Sequence, residues 1–317
     1  MDVSKPAEPW RDHYAHPNQW DQQFAPLSLT AMFADSTAAH PDAPLVEFFG
    51  RNYAYGALYE EARQFAAGLI ALGIVPGDRV GLYLPNIPTY VPAYYGAMMA
   101  GATVVNFSPL YTVRELTDQV EDSGTKLLVT VDLAKLLPGA LEVLRSSALE
   151  MLVVARFCQL LPWLKGLAYR LLNRRDLTAV PRADNVHEWR AVLSTASFTP
   201  LAIDPEHDLA LLQYTGGTTG TPKGAMLTHQ NLSANARQVA AIDPHAHDRD
   251  VILGALPLFH VFANTCVLNR TVFDGGCIAM LPRFDVGQVL ATIARVRPTS
   301  FPGVPTMYQA LLDDPRL

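Results

Sequence analysis

From Val80 to Val113 the chain carries no charged side chain, a stretch long enough to cross a bilayer if it were one continuous helix. Pro85, Pro88, Pro92 and Pro109 punctuate it, and Asn86 and Asn106 lie within it. Proline inside a helix removes a backbone hydrogen bond and collides with the preceding turn, so the stretch is read as a buried strand, helix and strand. Its neighbours continue that alternation. Arg79 to Leu84 reads as a strand, Thr89 to Ala100 as a helix and Thr103 to Asn106 as a strand. Thr112 and Glu115 form a capping-box pair ahead of a helix whose apolar face includes Leu116 and Val120. Lys126 to Val131 and Met151 to Ala155 follow as strands. The unit recurs after residue 205, with strands at Leu209 to Tyr214, Val251 to Ala255 and Ile278 to Leu281, and helices at Gln230 to Ile242 and Asp285 to Val296. Short apolar runs alternating with helical periods imply α/β layers around a largely parallel sheet.

Two bands of this pattern suggest two α/β subdomains, at 28–156 and 206–317, after an extension at 1–27 and with an irregular linking segment at 157–205. Inside that segment, Phe157 to Arg175 mixes Leu, Trp and Tyr with Lys165, Arg170, Arg174 and Arg175. Two readings stay open: a surface helix packed on a neighbouring subdomain, or an amphipathic helix lying on a membrane surface. Half of the residues are hydrophobic (50%) and 17% are charged, which supplies a large core and excludes a disordered chain. A formal net charge of −6 disfavours nucleic acid as a partner. Cys158, Cys266 and Cys277 are odd in number and widely spaced, which fits neither a disulfide framework nor a structural zinc site. With no apolar h-region in Met1 to Trp20, a cytoplasmic setting is expected.

The stretch richest in chemistry runs from Tyr214 to Gly224 (YTGGTTGTPKG). Gly216, Gly217 and Gly220 free the backbone to turn its N–H groups toward one centre, a nest suited to an anion. Thr215, Thr218, Thr219 and Thr221 add hydroxyls, Lys223 adds a point charge, and Pro222 stiffens the chain before it. Each hydrogen bond to a charged group contributes about 1.5–3 kcal/mol, so a few suffice for a polyphosphate despite the acidic net charge. This is not the common P-loop, which needs Gly directly before Lys where this chain has Pro222. Gly224 to Leu227 reads as a short strand, so the loop is expected to join two strands. His245 and His247, in an acidic loop, are read as solvated residues.

Tyr214 to Gly224, continued by Ala-Met-Leu-Thr-His229, resembles the phosphate-binding signature of the adenylate-forming (AMP-binding) superfamily. Gly96 to Thr112, Ala255 to Ala263 (ALPLFHVFA) and Phe301 to Tyr308 (FPGVPTMY) resemble further segments of that family in the same order, and the set is most similar to bacterial long-chain fatty-acid CoA ligases. The resemblance implies the layered large N-terminal domain of an acyl-CoA synthetase. It implies a reaction in which a fatty acid and ATP give acyl-AMP and pyrophosphate, after which CoA displaces AMP. Tyr214, Thr215, Gly216, Gly217, Thr218, Thr219, Gly220, Thr221, Lys223 and Gly224 then bind nucleotide phosphates, with Thr215 on the Mg²⁺ side. His260 is implied to orient the carboxylate or adenylate, beside Val261, so Lys223 and His260 are the expected catalytic pair.

The family's later segments, which supply adenine, ribose and second metal contacts and a small C-terminal domain with a catalytic Lys, are not recognisable before Leu317. The sequence therefore reads as an N-terminal fragment, expected to be inactive alone. Other acid:CoA ligases, acyl-AMP ligases and a non-catalytic nucleotide- or acyl-binding fragment remain as alternatives, and homodimerisation is left open.

Overall fold

In the computed structural model, residues 9–16, 18–199, 201–215, 222–243 and 249–317 are described. The uncharged stretch folds as its prolines dictate. Arg79–Leu82 (β3) and Thr103–Asn106 (β4) are parallel neighbours, and the helix Tyr90–Met99 between them has all ten residues buried. That helix lies against the helix Tyr55–Ala71 so closely that a Cβ added at Gly96 would stand 2.6 Å from the Ala62 carbonyl oxygen. Only glycine permits this approach without a shift of backbone.

β3 and β4 belong to a seven-stranded sheet completed by Thr125–Val131 (β5), Met151–Ala155 (β6), Val186–Glu188 (β7), Leu209–Thr215 (β8) and Lys223–Thr228 (β9). Its order is β7-β6-β5-β3-β4-β8-β9, parallel throughout except for the antiparallel outer pair β8 and β9. Val80, Val104, Leu128, Val153 and Leu211 are fully buried along it, as strands covered on both faces must be. A second sheet of four strands joins Pro44–Phe48 (β1), Arg51–Ala54 (β2), Val251–Gly254 (β10) and Cys277–Met280 (β11) in the order β10-β11-β1-β2. The expected α/β class is observed, with two mixed sheets.

Sheet membership does not follow the two halves of the chain. β1, near the N-terminus, pairs in parallel with β11 through Val46 and Ile278, while β8 and β9, after residue 205, extend the sheet built by the earlier strands. The segment 157–205 does more than link: β7 lies within it and forms one edge of the larger sheet. Trp189 stacks on Phe65 with ring centroids 4.3 Å apart and donates its indole N–H to Glu61 at 2.6 Å. The expected capping box is present, Thr112 accepting from the Glu115 N–H while the Glu115 carboxylate accepts from Thr112 N–H at 2.8 Å. After Gly124, in a left-handed conformation (φ 62°), the chain enters β5. The described part of the N-terminal extension is stitched to the helix His229–Ala241, where Gln230 donates to the Phe24 carbonyl at 2.8 Å and Arg237 to that of Ala25 at 2.9 Å.

Candidate active site

β8 and β9 pair so that Thr215 stands opposite Lys223 and Tyr214 opposite Gly224. The loop thus joins two strands, as its sequence suggests, and both of its ends are pinned by the ladder. Gly216, Gly217, Thr218, Thr219, Gly220 and Thr221 lie outside the described residues, as do His245 and His247. Tyr214 is buried, and its hydroxyl donates to the Asp122 carboxylate on the helix Val113–Ser123. Burial first, and the neighbouring carboxylate second, push its pKa well above the usual phenol range, so it stays protonated and holds the strand end to the helix. Thr215 and Lys223 are exposed, and the Thr215 hydroxyl donates to the Lys223 carbonyl at 3.5 Å. Lys223 makes no ion pair with any described residue.

His260 follows β10 and caps a short helical turn, Val261–Ala263, its Nδ1 accepting the Phe262 N–H at 3.3 Å. With Nδ1 used as an acceptor, the neutral ring carries its proton on Nε2, an N–H free to donate. The imidazole is exposed and Val261 half-buried. The helix continues through a π-helical stretch, Asn264–Asn269, to Arg270–Phe273. Within it the Asn264 Oδ1 accepts from Asn269 at 2.8 Å and from the Tyr94 hydroxyl at 3.1 Å.

Buried polar contacts tie the strand that leads to Lys223 to the segment that carries His260. Asn86, just after β3, donates from Nδ2 to the carbonyls of Gly254 (3.2 Å) and Leu256 (2.7 Å), and its Oδ1 accepts the Leu258 N–H at 2.8 Å. The Tyr90 hydroxyl lies 2.8 Å from Asn106 Oδ1 and 3.0 Å from the Leu258 carbonyl, so one proton serves two acceptors. Asn106, at the end of β4, donates to Gln213 on β8 at 3.4 Å. The carboxyl ends of β3, β4 and β8 and the segment after β10 are thereby joined, and in open α/β sheets that edge is where ligands bind. A concavity of about 570 Å³ beside Arg156, Val180 and Glu188 contains none of these residues and sits at the opposite sheet edge, near β7.

Mg²⁺, which the family resemblance implies on the Thr215 side, takes oxygen ligands. Its protein sites rest on one or two carboxylates together with substrate phosphates. Here the expected ligand, Thr215, offers one neutral hydroxyl beside a lysine, and no group of three His, Cys, Asp or Glu able to hold a metal occurs among the described residues.

The sequence profile of the AMP-binding enzymes matches residues 33–317. The chain belongs to that family. The long-chain-fatty-acid–CoA ligase of Bacillus subtilis (strain 168) is 36% identical over 315 residues, covering 98% of this chain and 56% of the relative. A crystal structure of a long-chain-fatty-acid-CoA ligase from Archaeoglobus fulgidus superposes with a TM-score of 0.75 at 26% identity, over 92% of this chain and 54% of that one. The ATP-bound structure of MatB from Rhodopseudomonas palustris gives 0.72 at 26% identity, over 92% and 52%. The chain spans about half the length of these relatives.

Sequence reasoning located the loop and His260 but assigned no role to Asn86, Tyr90, Asn106 or Gln213. The available signal was the presence of Asn86 and Asn106 in an otherwise apolar stretch, since a buried amide is retained only where its hydrogen bonds are met.

Proposed function

We propose that the natural chain carrying this sequence activates a long-chain fatty acid with ATP. A carboxylate oxygen bonds to the α-phosphorus, the bond from that phosphorus to the bridging oxygen breaks, and pyrophosphate leaves with the electron pair. Acyl-AMP then loses AMP to the attacking thiolate of CoA. The carboxylate is already ionised near neutral pH, so the first step calls for positioning and charge neutralisation rather than a general base.

Lys223 and the N–H groups and hydroxyls of 215–221 hold the β- and γ-phosphates, and the N–H at His260 Nε2 orients the carboxylate or the adenylate. The observation that carries this reading is the register of β8 and β9, which fixes Lys223 across from Thr215 at the mouth of the signature loop. The identity to a long-chain ligase supports the fatty-acid substrate.

The test is acid-dependent pyrophosphate exchange in the full natural chain over a panel of carboxylic acids. Lys223→Ala and Gly217→Val should each lower the rate by roughly a hundredfold or more, the first by removing charge from the departing pyrophosphate and the second by filling the nest. Wild-type rates in both variants would overturn the assignment. A preference for aryl or short acids would retain adenylation and reject the fatty-acid substrate.

A further inference from the structure

We propose that the helix Trp163–Leu172 is an in-plane docking surface for an anionic lipid bilayer. Its amphipathicity is inverted relative to a helix that covers a core. At 100° per residue, Trp163, Leu164, Leu167, Leu171 and Leu172 share one continuous arc, and all five are exposed, Trp163 by 76% and Leu172 by 82%. The opposite side is the packed one. Gly166 is buried, and a Cβ there would stand 2.3 Å from the Cys158 carbonyl oxygen, while Tyr169 lies against Phe157 with centroids 5.1 Å apart. The side chains that would ordinarily be hidden therefore face outward because the small and aromatic ones hold the helix to the body.

Charge selects the partner. Lys165 and Arg170 stand at the two borders of the apolar arc, and Arg174 and Arg175 follow the helix, against one acid, Asp176, in the adjoining turn. A basic rim around an apolar arc matches lipid tails below anionic headgroups, and it contrasts with the −6 of the whole chain. A helix of this length spans roughly 15 Å, half of a bilayer's hydrocarbon core, so it lies on the membrane and does not cross it. The orientation is held firmly. Tyr53 donates its hydroxyl to the Leu160 carbonyl at 2.6 Å, Arg51 reaches that of Gln159 at 2.7 Å, and Lys165 reaches that of Phe49 at 2.8 Å. These contacts place the helix by β2, an edge of the smaller sheet, whereas Ser300 bridges Ile252 on β10 at the far edge.

The inference rests on this helix alone and stands whether or not the adenylation reading holds. Its test is flotation of the full natural chain with phosphatidylcholine–phosphatidylglycerol vesicles and with pure phosphatidylcholine vesicles. The wild type should float with the anionic vesicles. Leu167→Glu combined with Leu171→Glu should lower the bound fraction at least about tenfold with no change in thermal midpoint, because both side chains start in water. Arg170→Gln with Arg174→Gln should weaken binding to anionic vesicles by roughly tenfold and reduce the preference over neutral ones. The proposal is overturned by a wild type that does not float, or by a double-Glu variant that floats like wild type. It is also overturned by a double-Glu variant that melts several degrees lower and floats unchanged, which would mean that other parts of the chain cover the face. A wild-type dimer that this variant splits, with no vesicle binding by either, would make the face a protein interface.

Discussion

His229, the residue that closes the signature segment, works as an uncharged hydrogen-bond acceptor. It is buried, its Nδ1 accepts the Leu29 N–H at 3.3 Å, and burial lowers its pKa to about 4, Asp208 opposing the shift only in part. The unfolded chain takes up this proton near pH 6.5, whereas the folded one refuses it until about pH 4. Stability therefore carries no cost from this group above pH 6.5 and falls as pH drops through the window between those values, by about 2–3 kcal/mol at pH 4.5. His229→Asn keeps an acceptor and cannot titrate, so its urea midpoint should depend less on pH across this window. Equal pH dependence in the two proteins would show that the titration belongs elsewhere.

At the scale of elements, the segment from Gly254 to His260 has little secondary structure of its own and is held in place by Asn86. Asn86→Ala would leave the buried Leu258 N–H and Leu256 carbonyl short of a partner, while the Gly254 carbonyl keeps the Leu281 N–H, at about 2–4 kcal/mol in denaturant unfolding. It should also slow pyrophosphate exchange in the full chain more than an equally destabilising change remote from His260 does. Loss of stability with an unaltered rate would show that the clamp does not act on the site. The elements that sequence reveals are those whose cause is local: the Thr112 and Glu115 cap, the proline-bounded helix Tyr90–Met99, and the β8 and β9 strands flanking a Gly/Thr loop. The hairpin Pro44–Ala54 is not legible, because the partner of β1 lies at Ile278, far along the chain. Nor is the π-helical stretch Asn264–Asn269, whose geometry accompanies a buried layer of Tyr94, Tyr95 and three-dimensional amide partners that no periodicity announces.

For the whole molecule, the exchange of strands between early and late chain argues against two units that fold separately. β1 and β2 need β11, and β4 is an inner strand only when β8 lies beside it. The subdomains expected at 28–156 and 206–317 exchange strands with one another. Denaturant unfolding should show one transition, coincident by far-ultraviolet circular dichroism and by tryptophan fluorescence. Two resolved transitions, or native-like near-ultraviolet dichroism from an isolated 28–156 polypeptide, would restore independent units.

The same strand exchange has a consequence on the ribosome. Leu45, Val46 and Phe48, all fully buried in the finished sheet, emerge long before Cys277–Met280 can pair with them. Roughly 230 residues separate the two strands, so at about 5–20 residues per second the hairpin waits on the order of tens of seconds during synthesis. Throughout that interval it is an apolar β-segment without its neighbour, the kind of nascent surface that chaperones bind and that crowded polysomes can join together.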